Sequence, residues 1–119
     1  MKKQKWIGVD LDGTLAYHAS GDGVDHVGRP IKRMVERVKS WLAGGYDVRI
    51  FTARIWCSES GDPTEREFQR VMIEKWCLEH IGAVLPITCQ KDYYMMELWD
   101  DRAVAVERNT GDYKSWETT

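Results

Sequence analysis

The sequence is poor in the residues that staple, break or anchor a chain. Its 119 residues hold only three cysteines and three prolines. The cysteines, Cys57, Cys77 and Cys89, are odd in number and show no C-x-x-C spacing, which argues against a disulfide framework or a cysteine-rich zinc site. No stretch approaches the roughly 20 apolar residues of a membrane span. The start, MKKQKWIGVDLDG, has no long apolar segment before Asp10, so no signal peptide is visible. There is no internal repeat. Nor does one charge dominate: 17 Lys+Arg against 19 Asp+Glu leave −2, which speaks against a broadly basic surface but leaves room for a local basic groove. The expectation is a reducing, cytoplasmic setting with no membrane partner.

What is present suits one small globular domain. A content of 43% hydrophobic and 30% charged residues supports a core and excludes a disordered or fibrous chain. The reading is a single domain over 1–119, with a core of about 5–107 and a polar tail over 109–119, to which no structure is assigned. Lys5–Asp10 reads as a buried strand and Tyr17–Arg29 as a loop. Pro30 is expected to open a helix on which Ile31, Met34, Val35, Val38, Trp41 and Leu42 recur at helical spacing, until Gly44-Gly45 stops it. Tyr46–Phe51 alternates and is β-rich. After a loop at Ile55–Asp62, the run Asp62-Pro63-Thr64-Glu65 marks a helix start, with Asp62 as cap and Glu65 reaching back. That helix is expected to end near Ile81, before Gly82. Further strands are expected at Val84–Thr88, on a sheet edge because of Pro86, at Met96–Trp99 and at Ala103–Val106.

Strands alternating with helices on both faces of a sheet imply an open parallel α/β fold, whose ligands bind beyond the strands' carboxyl ends. Those ends are rich in chemistry. The first strand runs into Asp10-Leu11-Asp12-Gly13-Thr14, the second into Thr52-Ala53-Arg54, the third towards Lys91 and the fourth into Asp100-Asp101-Arg102. If the first and fourth strands are neighbours, Asp10, Asp12, Asp100 and Asp101 converge. Like charges so placed raise each other's pKa, and a hard divalent cation such as Mg²⁺ resolves the conflict. Two carboxylates around one turn can divide nucleophilic from acid/base work. Gly13 permits close backbone approach, and Thr52 and Lys91 suit a cradle for phosphoryl oxygens.

The DLDGT stretch, the strand ending in FTAR, the lysine of QKD and the WDDR stretch resemble, in order, the four motifs of haloacid-dehalogenase-like (HAD) phosphohydrolases, spanning residues 6–106. The resemblance implies a three-layer, Rossmann-like α/β fold with a five-stranded parallel sheet in the order 3-2-1-4-5. It makes Asp10 the nucleophile that forms an aspartyl-phosphate and Asp12 the general acid/base. Asp10 and Asp100 would bind Mg²⁺ by side chain, Asp12 by its backbone carbonyl, and Asp101 directly or through water. Thr52 and Lys91 would hold the phosphoryl group, with Gly13 and Thr14 beside it. The intervals where such enzymes insert a cap domain, Leu15–Pro30 and Ile55–Asp62, are too short for one, so the site is expected to be open. The stretch from Gly28-Arg29-Pro30-Ile31 through GYDVRIFTAR and Asp62-Pro63-Thr64 is similar to the phosphatase domain of phage polynucleotide kinase-phosphatases. A phosphorylated nucleotide or nucleic-acid 3′-end is therefore the expected substrate.

Other residues carry competing readings. Arg54 and Arg102 either touch substrate phosphate or pair with nearby acids. Trp56 either stacks on a base or packs its loop, while Trp6, Trp41, Trp76 and Trp99 read as core. His18, His26 and His80 read as ordinary loop or surface histidines, and Cys57 lacks a partner histidine. Two rival functions remain. One is a receiver-like phospho-accepting domain, which would place its acidic pair early and its acceptor later, the reverse of this order. The other is a catalytically silent HAD-fold binding protein.

Overall fold

The computed structural model describes residues 4–56 and 62–115. Four strands, β1 (Trp6–Asp10), β2 (Asp47–Phe51), β3 (Ile87–Thr88) and β4 (Met95–Trp99), form one parallel sheet in the order β3-β2-β1-β4. The run Ile7-Gly8-Val9 is buried throughout, as a central strand requires. Two helices, α1 (Lys32–Ala43) and α2 (Pro63–His80), connect β1 to β2 and β2 to β3. Register places Ile7, Val9, Val48, Ile50 and Ile87 on one face of the sheet. That face packs into a single core with Met34, Val35 and Val38 of α1 and Ile73, Trp76 and Cys77 of α2.

The local signals explain most boundaries. Met34, Val35 and Val38 are the buried face of α1, with Ile31, Trp41 and Leu42 at its margin. Asp62 caps α2 by accepting from the Thr64 N–H, and Pro63 fills the first position, where no N–H is needed. Glu65 does not reach back; its carboxylate accepts from Gln69 one turn later. Gly82, at φ +89°, turns the chain out of α2 through a conformation open to glycine. Pro86 sits beside the edge strand β3, as expected.

Three expectations are corrected. Pro30 does not open a helix: it bridges Ala16 in extended form, and the Ile31 N–H bonds Leu15 O, so α1 begins only at Lys32. Ala103–Val106 forms no fifth strand. Val106 instead bridges Tyr113 in a local antiparallel turn, giving structure to a tail expected to have none and leaving residues 103–115 exposed. The sheet therefore has four strands, not five.

The third correction concerns layers. Both helices lie on the Ile7/Val9 face, because β1-α1-β2 and β2-α2-β3 step in the same direction across the sheet. Among the described residues no helix covers the other face, where one could join β3 to β4. Only residues 89–94 do so, fewer than the roughly ten a helical crossover needs. They form a strap from the carboxyl end of the sheet, where Thr88 pairs Phe51, to its amino end, where Met95 pairs Trp6. The indole N–H of Trp6 donates to Asp92 on this strap at 2.9 Å, and Arg49 stacks over the Trp6 ring. The protein is thus two-layered, with its second face closed by side chains and a strap.

Candidate functional site

β1 and β4 are parallel neighbours, so their carboxyl ends bring Asp10 beside Asp100 and Asp101. Oxygens of these three carboxylates lie within 4.8 Å of one another. Between them sits the turn after β1, held by the Leu15 and Ala16 N–H groups donating to Leu11 O. Gly13 is required there by its backbone conformation. Its φ is +89°, and a Cβ would come 2.6 Å from a carboxylate oxygen of Asp101. Thr14 ties the two strand ends together: its Oγ1 accepts from the Asp101 N–H at 3.0 Å and faces Asp10 and Asp101 oxygens at 3.4 and 3.3 Å. Its one proton can serve only one of them.

This convergence perturbs Asp10. Burial, above all, pushes its carboxyl up from an ordinary 3.8 to about 7, aided by a hydrogen bond shared with Asp101 and repulsion from Asp100, Asp101 and Asp12. No lysine or arginine makes an ion pair with this trio among the described residues. A set of hard oxygen donors without a balancing cation fits Mg²⁺ in charge and in ligand type.

Asp12, only two residues on, is in a different state. Its side chain turns away from the trio and meets Arg54 in a two-pronged pair, Nε to Oδ2 and Nη2 to Oδ1, both 2.8 Å. The Arg54 side chain is 2% exposed, and its remaining donors reach Val24 O, His26 O and Gln69 Oε1. Gln69, itself buried on α2, also donates to Val24 O. One guanidinium thereby joins the first motif, the 17–29 loop and α2. With every donor engaged, Arg54 pairs with an acid rather than offering itself to substrate.

These groups wall a cleft of about 890 Å³. Thr52 lines it; its Oγ1 accepts from the Arg54 N–H, leaving the hydroxyl proton to donate elsewhere. Arg102 also lines it, exposed and without an ion pair among the described residues, while its backbone N–H fixes Asp100 at 2.8 Å. Trp56 stands at the rim, 55% exposed, where it packs no core. Lys91 is not brought to this cleft. It is exposed on the strap, three residues past Thr88, and does not line the cleft. Trp6 and Trp76 are buried as expected, and Trp41 and Trp99 are half-buried and packed together with their rings tilted by 57°. Cys57 lies outside the described residues, and Cys77 is no nucleophile, since burial pushes its thiol up to about 11.

Sequence reasoning missed His18 and Gln69. His18 reads as a loop histidine, yet its Nδ1 lies 3.5 Å from Asp12 in the cleft. No spacing signal marks it, because the 17–29 loop folds back through its own closure, Tyr17 N–H to Arg29 O. Gln69 did carry a signal: a polar residue four positions before Ile73, on the face of α2 that is otherwise apolar.

The fold and site together define an α/β protein with a parallel sheet and an acidic cleft at its carboxyl edge. No protein-family profile matches the chain, and no curated protein does. Among solved structures, that of a conserved protein coded by a locus of Bacteroides thetaiotaomicron is similar, with a TM-score of 0.50 and 17% identity over 96% of this chain and 84% of that one. At that identity the likeness concerns the fold alone.

Proposed function

We propose that this chain is a capless HAD-type phosphohydrolase that cleaves a phosphate monoester with Mg²⁺. The observation that carries the reading is the meeting of Asp10, Asp100 and Asp101 within 4.8 Å at the ends of adjacent parallel strands. Asp10 and Asp100, with Asp101 and the backbone carbonyl of Asp12, would hold the ion. When bound, Mg²⁺ offsets the charge of the carboxylates and of the phosphoryl oxygens. Asp10 Oδ attacks phosphorus while the ester P–O bond breaks, and Asp12 hands a proton to the departing oxygen. Asp12 then takes a proton from water as the water oxygen attacks phosphorus and the P–O bond to Asp10 breaks. Both oxygens of Asp12 are engaged by Arg54, so each proton transfer requires one of those bonds to open. The Thr52 hydroxyl and Arg102 line the cleft as donors for the phosphoryl oxygens, Arg102 taking the part the resemblance gives to Lys91.

An open cleft of this size, with no cap among the described residues and with Trp56 at its rim, favours a substrate with bulk of its own, such as a nucleotide or a nucleic-acid 3′-end. The position of Lys91 is the observation that favours the second reading, a fold-retaining binding protein without turnover. A panel of aryl phosphate, nucleotides, sugar phosphates, phosphoproteins and 3′-phosphorylated oligonucleotides with Mg²⁺ decides between them. Turnover that disappears in Asp10→Asn supports the hydrolase; no turnover of any ester supports the binding protein.

A further inference from the structure

On the other side of the acidic trio lies a second groove, of about 280 Å³, that the proposed chemistry does not use. Gly13, Asp100 and Asp101 line both cavities, so the two adjoin through this one wall. The far side of the groove is cationic. Arg33 and Arg37, one turn apart on α1, both line it. Neither makes an ion pair among the described residues, although two aspartates border the same groove. Its floor is built rather than loose. The Arg37 guanidinium lies 5.3 Å from the centre of the Trp99 ring, and Trp99 packs against Trp41 of α1 with ring centres 5.2 Å apart. Trp99 directly precedes Asp100, so this shelf is fixed in position relative to the proposed metal ligands.

We propose that this groove is an anion subsite that binds a second phosphate group of the substrate, and that the preferred substrates carry one. The inference rests on the phosphohydrolase reading and adds a substrate class to it. Two arginines without carboxylate partners among the described residues, one of them over an indole ring, present donors that can chelate phosphate oxygens. The wall of aspartates keeps that second phosphate out of the metal position and gives the molecule its orientation: reacting phosphate over Asp10, second phosphate over Arg33 and Arg37. The second phosphate can belong to a nucleoside bisphosphate or to the neighbouring linkage of an oligonucleotide.

The test compares KM for a nucleoside 3′-monophosphate, the matching 3′,5′-bisphosphate and a 3′-phosphorylated oligonucleotide, with Mg²⁺, in the natural protein and in Arg33→Gln/Arg37→Gln. The expected result is a preference of about tenfold for the doubly charged substrates that shrinks to below about twofold in the variant and steepens at low salt. If only the oligonucleotide shows the preference, the second phosphate is a backbone linkage; if the bisphosphate shows it too, a single nucleoside suffices. Equal KM values for mono- and bisphosphate, or a preference that survives loss of both arginines, would overturn the subsite. Calorimetric titration of the Asp10→Asn protein with the bisphosphate separates this from catalysis. Arginine-dependent binding without turnover of any ester removes the hydrolase reading and keeps the subsite. Turnover of aryl phosphate with arginine-independent binding does the opposite.

Discussion

Asp10 and Asp12 sit two residues apart on one turn, yet the fold treats their charges in opposite ways. Asp12 is matched: a buried arginine grips both its oxygens, and that arginine is itself held by Val24, His26 and Gln69. Asp10 is unmatched, crowded by Asp100 and Asp101 and pushed up to about 7. The difference teaches what each half of the turn is for. Asp12 is given its counter-ion by the chain and must loosen it to move a proton; a carboxylate left without one is kept ready for a ligand that brings the charge.

Breaking the unmatched half has the largest expected effect. Asp10→Asn should reduce turnover of an aryl phosphate by roughly 10³-fold or more, measured under saturating Mg²⁺, while the unfolding midpoint holds or rises. Breaking the matched half should act on stability as well as on turnover. Arg54→Met leaves a carboxylate, two loop carbonyls and Gln69 without their donor and should cost about 2–4 kcal/mol in denaturant unfolding. Asp12→Asn should cost less, because it spares the loop and Gln69 contacts. A cost for Asp12→Asn equal to that of Arg54→Met would show that the loop contacts contribute nothing.

The pH dependence sharpens the same contrast. Folded Asp10 holds its proton up to about 7, against 3.8 unfolded, so between those values the folded state binds more protons. Its contribution to stability is therefore highest at the acid end and falls as pH rises through this window. Chemical unfolding of the metal-free protein should show that fall, and both saturating Mg²⁺ and Asp10→Asn should flatten it. The smallest effect is expected from Gln69→Leu, which orphans one Arg54 donor and should cost about 1–2 kcal/mol.

The parts of this molecule that could be read from its residues are those fixed by local chemistry. An apolar run ending in acid located β1, and glycine, proline and an aspartate cap bounded α1 and α2, to within a residue or two. Four carboxylates were expected to converge because two strand ends carried them; Asp10, Asp100 and Asp101 do, while the side chain of Asp12 is taken by Arg54. What escaped was decided by connection length and by loop return. AVAV at 103–106 has the residues of a strand, but its partner turned out to be Tyr113 rather than β4. The second helical layer failed because only residues 89–94 join β3 to β4, and Lys91 on the same strap does not line the cleft. Arg54 was left between phosphate and acid because its choice depends on Val24 and His26, on a loop whose path no periodicity describes.

Acceptance of a phosphoryl group by Asp10 is the central step, and it can be measured without knowing the ester. Inorganic phosphate should react in reverse at Asp10, expelling one oxygen as water, and each return to phosphate should bring in an oxygen from solvent. In heavy-oxygen water with Mg²⁺, phosphate mass spectra should show steady incorporation of label that stops in Asp10→Asn. Absence of exchange in the natural protein, or exchange undiminished in Asp10→Asn, would contradict it.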